Sequence, residues 1–148
     1  MTLVVDHSTF VAYCVTALVL CLNLLVLWGY SGGVRTGSKQ AVNPEDAALF
    51  GVTLEPTDPP AVARVLRAHA NAQAMIYPFL IVGLLYVLTC GPYLVAAIIF
   101  AIFVTGRLAH SAFYLAGRQP WRTVSFVISA LALIAMMVAL IWRLLVMR

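Results

Sequence analysis

Negative charge is scarce in this chain, and it stops early. Only Asp6, Glu45, Asp46, Glu55 and Asp58 are acidic, and no acid follows Asp58. Charged residues of both signs make up 9% of the sequence, against roughly a quarter in soluble domains. A Ser-His-Asp constellation in the region after Asp58 is therefore excluded. No glycine-rich phosphate loop is present, which removes the usual nucleotide cradle. Cysteine is limited to Cys14, Cys21 and Cys90, all inside apolar runs. Cys14 and Cys21 stand about 10 Å apart along a helix, too far for a disulfide. No CxxC spacing suggests zinc. Two histidines, His69 and His110, without neighbouring acids or cysteines do not make a metal site, and no metal is expected. His7 reads as solvated. The first apolar run, from about Phe10 to Trp28, follows Asp6 rather than a basic cluster and has no small-residue cleavage site before Arg35. It reads as a retained membrane helix rather than a secretory signal. No nucleic-acid partner is expected.

What the chain has in abundance is apolar surface. Hydrophobic residues make up 64% of it, with a mean hydropathy of +1.01. A water-soluble fold of this length cannot hide that much, so the surplus faces lipid. Four segments are long enough to span roughly 30 Å of hydrocarbon: about 9–31, 61–89, 92–116 and 120–146. Pro59 and Pro60 are placed to start the second span, and Gly91-Pro92 to turn the chain between the second and third. Gly117 ends the third and Pro120 precedes or opens the fourth. Pro78 should kink the second. Short connections predict an all-α, up-down-up-down four-helix membrane bundle as one domain over 1–148. The long connection, 32–60, reads as a water-facing loop with a partial helix after Asn43-Pro44.

Basic residues are distributed unevenly. Arg35, Lys39, Arg64, Arg67, Arg107, Arg118 and Arg122 fall at the ends that meet the first and third connections, while Arg143 and Arg148 fall at the other face. The positive-inside rule puts those two connections in the cytoplasm. Arg67, Arg107 and Arg122 lie within the spans, where an unpaired charge costs several kcal/mol. Snorkelling to lipid phosphates is the plain explanation for arginines at helix ends, and it suits Arg64 and Arg118. It suits Arg107 and Arg122 less well. Arg107, His110 and Tyr114 are spaced i, i+3, i+7 and share one helix face. The second span offers Arg67, Asn71 and Ala74 in the same way, and the fourth offers Arg122, Thr123 and Phe126. Three such stripes at one depth are expected to face each other or a ligand. A first-connection acid, Asp46 above all, is placed to fold back on one arginine. With no other built-in counterion, the expected ligand is an anion.

The words RVLRAHANAQAMIYPFL (64–80), GRLAHSAFYL (106–115), QPWRTVSF (119–126), GGVR (32–35) and NPEDA (43–47) resemble the MAPEG superfamily, membrane-associated proteins in eicosanoid and glutathione metabolism. The resemblance runs from about Gly33 to Phe126 in order and spacing. It implies a homotrimer of four-helix protomers, with glutathione sites between protomers and lipophilic substrates entering from the bilayer. It implies a glutathione-dependent transferase, isomerase or peroxidase acting on a lipophilic electrophile or lipid peroxide, with a non-catalytic lipid-binding member as the alternative. By motif, Arg122 would hold the sulfur as thiolate with Thr123 assisting. Arg35, Arg67, His69, Asn71, Arg107, His110 and Tyr114 would position glutathione. The membrane would be a bacterial inner membrane or the endoplasmic reticulum. Three positions depart from the family pattern. Ala70 stands where an arginine is usual, Ala74 where a glutamate is usual, and Phe126 where a tyrosine is usual. Each lost charge-assisted bond weakens binding by roughly 1.5–3 kcal/mol.

Overall fold

A computed structural model describes residues 5–147. Seven elements follow in order: α1 (His7–Ser38), β1 (Gln40–Ala41), α2 (Pro44–Phe50), β2 (Thr53–Leu54), α3 (Pro60–Leu88), α4 (Tyr93–Leu115) and α5 (Trp121–Val146). Helices α1, α3, α4 and α5 are each long and apolar enough to cross a membrane. Helix α1 packs on α3 and α4, α5 packs on α4 and α3, and α3 touches α4. Short turns join α3 to α4 and α4 to α5, so these neighbours run antiparallel.

The first span is longer than its hydrophobic run suggests. Gly32-Gly33 reads as the start of a loop, yet α1 continues to Ser38. A Cβ built on Gly29, Gly32, Gly33 or Gly37 meets nothing within 4 Å, so no turn or close approach uses these glycines. The extra turns are held by Thr36 Oγ1 donating to the Gly32 carbonyl and Ser38 Oγ to that of Arg35. Lys39, at φ 53°, then ends the helix in the left-handed region. The rest of the connection is also more ordered than a plain loop. Strands β1 and β2 pair in parallel, Gln40 with Thr53 and Ala41 with Leu54, around α2. Helix α2 starts where Asn43-Pro44 places it, with Glu45 and Asp46 in its first turn, where they suit the helix dipole. Helix α3 runs through Pro78 without a break.

In lipid the surrounding tails are as apolar as the core, so close packing and interhelical hydrogen bonds hold the bundle together. Phe79 of α3 stacks flat on Phe103 of α4, with centroids 3.6 Å apart, and Phe100 meets Phe79 edge-on. Tyr13 Oη donates to the Leu80 carbonyl at 3.1 Å, tying α1 to α3. Helices α4 and α5 come close at Gly106, where an added Cβ would sit 3.1 Å from Ser129 Cβ and 3.3 Å from the Ser125 carbonyl. The outward faces stay greasy. Leu18, Trp28, Leu94, Leu131 and Trp142 are all at least 60% exposed, which fits a lipid-facing surface.

The turn after α3 is closed by contacts that only glycine permits. A Cβ on Gly91 would lie 2.3 Å from Tyr86 Cζ. The Tyr86 hydroxyl donates to the Pro92 carbonyl at 3.3 Å. Arg143, in the last turn of α5, donates to the carbonyls of Thr89 at 2.7 Å and Cys90 at 3.2 Å. Arg148 lies outside the described residues.

Candidate functional site

The arginine-rich end is built where the last turns of α4 meet the first turn of α5 and the first half of α3. Gly117, at φ +66°, lets the chain leave α4 and re-enter α5 within a few residues. The Arg64 guanidinium rests against that turn, and a Cβ on Gly117 would meet its Nη1 at 3.0 Å. This short connection brings the helix faces carrying Arg107, His110 and Tyr114 up against Arg122.

Two links define the geometry. His110 is buried, and its Nδ1 lies 2.8 Å from the carbonyl of Arg122. A carbonyl only accepts, so Nδ1 carries the hydrogen, and Nε2 is buried without a partner. Fixing the Arg122 backbone frees its side chain to lie over the Tyr114 ring, 4.8 Å from the centroid. Such a cation–π contact orients the guanidinium while leaving its donors available. With the Gln119 amide oxygen turned toward it, Gln119 accepts from Arg122 Nη2 at 2.5 Å and Nε at 3.1 Å and donates to Thr123 Oγ1 at 3.0 Å. Gln119 therefore bridges Arg122 and Thr123. The His110 ring also contacts Tyr114 and Phe126, at 5.6 and 5.7 Å between centroids.

One turn deeper lies Arg107. It is completely buried, and Nη2 donates to Asn71 Oδ1 of α3 at 2.9 Å. Its Nε and Nη1 have no acceptor. One turn further along α4, Ser111 Oγ accepts from Asn23 Nδ2 of α1 at 3.2 Å, so α1 joins the same polar layer. Interhelical pairs of this kind contribute about 0.6–2 kcal/mol in membranes.

The sequence-derived residues are gathered only in part. Asn71, Arg107, His110, Tyr114, Arg122 and Thr123 form one connected group. Arg67, Ala70 and Ala74 are exposed on α3 and His69 is half-buried. The α3 stripe is thus split, because the buried face runs through Val65, Ala68, Ala72 and Ile76, and Asn71 on its flank bonds Arg107 of α4. Arg35 is elsewhere, bonded to Asp58 at 2.8 Å in the only ion pair among the described residues. The expected fold-back of Asp46 onto a span arginine does not occur. Asp46 accepts from Asn43 at 3.1 Å, and the acid that pairs is Asp58, with Arg35. Arg35 and Asp46 instead line a crevice of about 370 Å³ with Gln40, Phe50 and Val52. Sequence reasoning missed Asn23, Ser111 and Gln119. An asparagine in the middle of an apolar span is itself a signal, since lipid does not tolerate an unpaired amide. Among the described residues no three His, Cys, Asp or Glu side chains gather as a metal site.

Comparison with known proteins agrees in family. The model of the MAPEG family matches residues 11–142. Prostaglandin E synthase of Homo sapiens is 37% identical over 133 residues, covering 86% of this chain and 88% of that protein. Prostaglandin E synthase of Equus caballus is 36% identical, covering 86% and 87%. Microsomal glutathione S-transferase 1 of Homo sapiens is 36% identical over 134 residues, covering 85% and 84%. A family match over nearly the whole chain, on four apolar helices with their polar layer at one end, makes this a multi-pass membrane protein that belongs to the MAPEG family.

Proposed function

We propose that this protein is a glutathione-dependent membrane enzyme that joins a thiolate to a lipophilic electrophile. The observation that carries the reading is the Arg122 guanidinium, oriented by Tyr114 at 4.8 Å, with its backbone carbonyl taken by His110. No acid follows Asp58 to neutralise it. A free thiol titrates near about 8.5, and a guanidinium against the sulfur favours the anion. In the proposed step the thiol proton leaves to solvent. The thiolate attacks an electrophilic carbon, a C–S bond forms, and the leaving group departs with the bonding electrons. Arg122 holds the sulfur and Thr123 assists, while Arg35, Arg67, His69, Asn71, His110 and Tyr114 position the peptide and buried Arg107 acts through its bond to Asn71. Relatives named prostaglandin E synthase and microsomal glutathione S-transferase 1 support glutathione as cosubstrate and lipid-like acceptors.

Arg67, Ala70, Ala74, Tyr77 and Ile81 are all exposed on α3, three or four residues apart. In our reading this stripe packs against a neighbouring copy in a homotrimer, which brings Arg67 and His69 to the site from outside a single chain. The first and third connections face the cytoplasm.

Calorimetric titration of glutathione into the detergent-solubilised protein tests the reading, followed by conjugation to a chromogenic aryl halide. Saturable binding and halide release are expected, and no heat at millimolar glutathione sinks it. A second reading, a lipid-binding member without catalysis, is favoured by Ala70 and Ala74. Co-purified fatty acid or phospholipid with no thiol affinity would select it. Ala74→Glu separates the two. Restoring a carboxylate should tighten glutathione binding by about tenfold or more, whereas a lipid-only site gains nothing.

A further inference from the structure

Arg107 carries a charge that the fold does not balance. It heads the fully buried side chains by size. Its single bond goes to a neutral amide, Asn71 Oδ1. The N–H hydrogens on Nε and Nη1 meet no acceptor. Helices α1, α3, α4 and α5 contain no Asp or Glu at all. Asp58 is committed to Arg35, and Asp46 bonds Asn43. The other charged or titratable groups of this polar layer are His110, Tyr114 and Arg122, and none is a carboxylate. Asn23 and Ser111 satisfy each other. A cation buried among helices without a partner is strongly destabilising. A water molecule would accept a hydrogen bond and leave the charge in place.

We propose that the bundle holds a resident small monovalent anion, a halide or a short carboxylate, against Nε and Nη1 of Arg107. The site differs from the thiol position beside Arg122. Arg122 is partly exposed and can meet a tripeptide, whereas Arg107 has no exposed surface and lies one helical turn deeper. An ion that sheds its water suits that place. The anion completes the Asn71–Arg107 link between α3 and α4, and so sets the floor beneath the thiol site. The inference needs no thiol and stands whether or not glutathione binds.

The test is thermal unfolding of the full chain in detergent without thiol, followed by the fluorescence of its three tryptophans. Sodium chloride or sodium acetate is titrated against a bulky organic sulfonate at constant ionic strength. A saturable rise in Tm of about 5 °C is expected. A rise with chloride identifies a halide site, and a rise with acetate alone identifies a carboxylate site. Asn71→Asp places a carboxylate where an acceptor already lies 2.9 Å from Nη2. That variant should lose the anion response and match, in anion-poor buffer, the Tm of the saturated parent. Arg107→Met should lose the response too, and if it does not fold, N71D decides. No saturable shift with either salt in the parent overturns the proposal, as does an unchanged shift in N71D. A clear anion shift together with no glutathione heat would leave this site standing and remove only the thiol reading.

Discussion

The two ends of the bundle use arginine in opposite ways. At the end where α3 turns into α4, Arg143 is tied to structure through Nη2, which bonds the Thr89 and Cys90 carbonyls, while its Nε has no partner. Tyr86 fills the space under Gly91 and bonds Pro92, so that end is closed by side chains onto backbone. At the other end Arg67 and Arg118 are exposed, Arg122 rests on an aromatic face, and Arg107 has donors to spare. Among the described residues only Arg35 is paired with a carboxylate. Guanidinium groups are costly near a membrane, so the end with fewer partners for them is where the proposed ligand site lies. Changes at the open end should therefore alter chemistry more than folding, and changes at the closed end the reverse.

The largest effect that would break this contrast is at Arg122. Arg122→Ala should lower kcat/KM for aryl halide conjugation by about a hundredfold or more, the scale for removing one donor to a reacting anion. Its Tm should barely move, because His110 uses the Arg122 carbonyl and not its side chain. A variant with a clearly lowered Tm and the parent's kcat/KM would reverse the assignment of the two ends. The closed end should respond in the opposite sense. Gly91→Ala forces a methyl to within 2.3 Å of Tyr86 Cζ, an overpacking worth about 1–3 kcal/mol. Its unfolding midpoint should fall while the glutathione Kd stays at the parent value. Arg143→Met should act in the same direction with a smaller loss, about 1 kcal/mol, since a partly exposed cation gains less from each bond. A shift in glutathione Kd for either variant would show that the ends are coupled.

The spans, their order and the turn at Gly91 were legible because each is written locally, in a long apolar run or a Gly-Pro pair. Asn71 beside Arg107 was half legible, since each falls on a predicted stripe. What stayed hidden depends on partners that leave no pattern. The bond from His110 to Arg122 uses a backbone carbonyl, which every residue possesses. The outward turn of Arg67 follows from which flank of α3 packs, and spacing alone fits both flanks. The pairing of Arg35 with Asp58 rather than an Asp46 fold-back depends on α1 running on through Gly32-Gly33, where composition suggests a stop. The parallel bridge of β1 and β2 is two residues long on each side, too short for periodicity to register.

The smallest expected effect lies at the start of α1. Asp6 caps the helix, accepting from the Thr9 hydroxyl at 2.5 Å and the Thr9 amide at 2.8 Å. The hydroxyl bond first, and then the amide bond, hold its carboxyl below the usual carboxylate range. A depressed folded-state value means that its stabilisation is fully present above the unfolded pKa, about 3.9. It is lost as the pH falls through the folded value. Asp6→Ala should therefore lower Tm slightly at neutral pH, and the gap between parent and variant should narrow in acid below about pH 4. Asp6→Asn keeps an acceptor for the cap at every pH, so its Tm should fall less than that of Asp6→Ala and lack the carboxyl's contribution to the acid slope. Glutathione affinity should be untouched in both variants, because this cap lies a whole helix away from Arg122. An Asp6→Ala protein with the parent's Tm across the whole titration would show that the first turn of α1 is held by its neighbours and not by its cap.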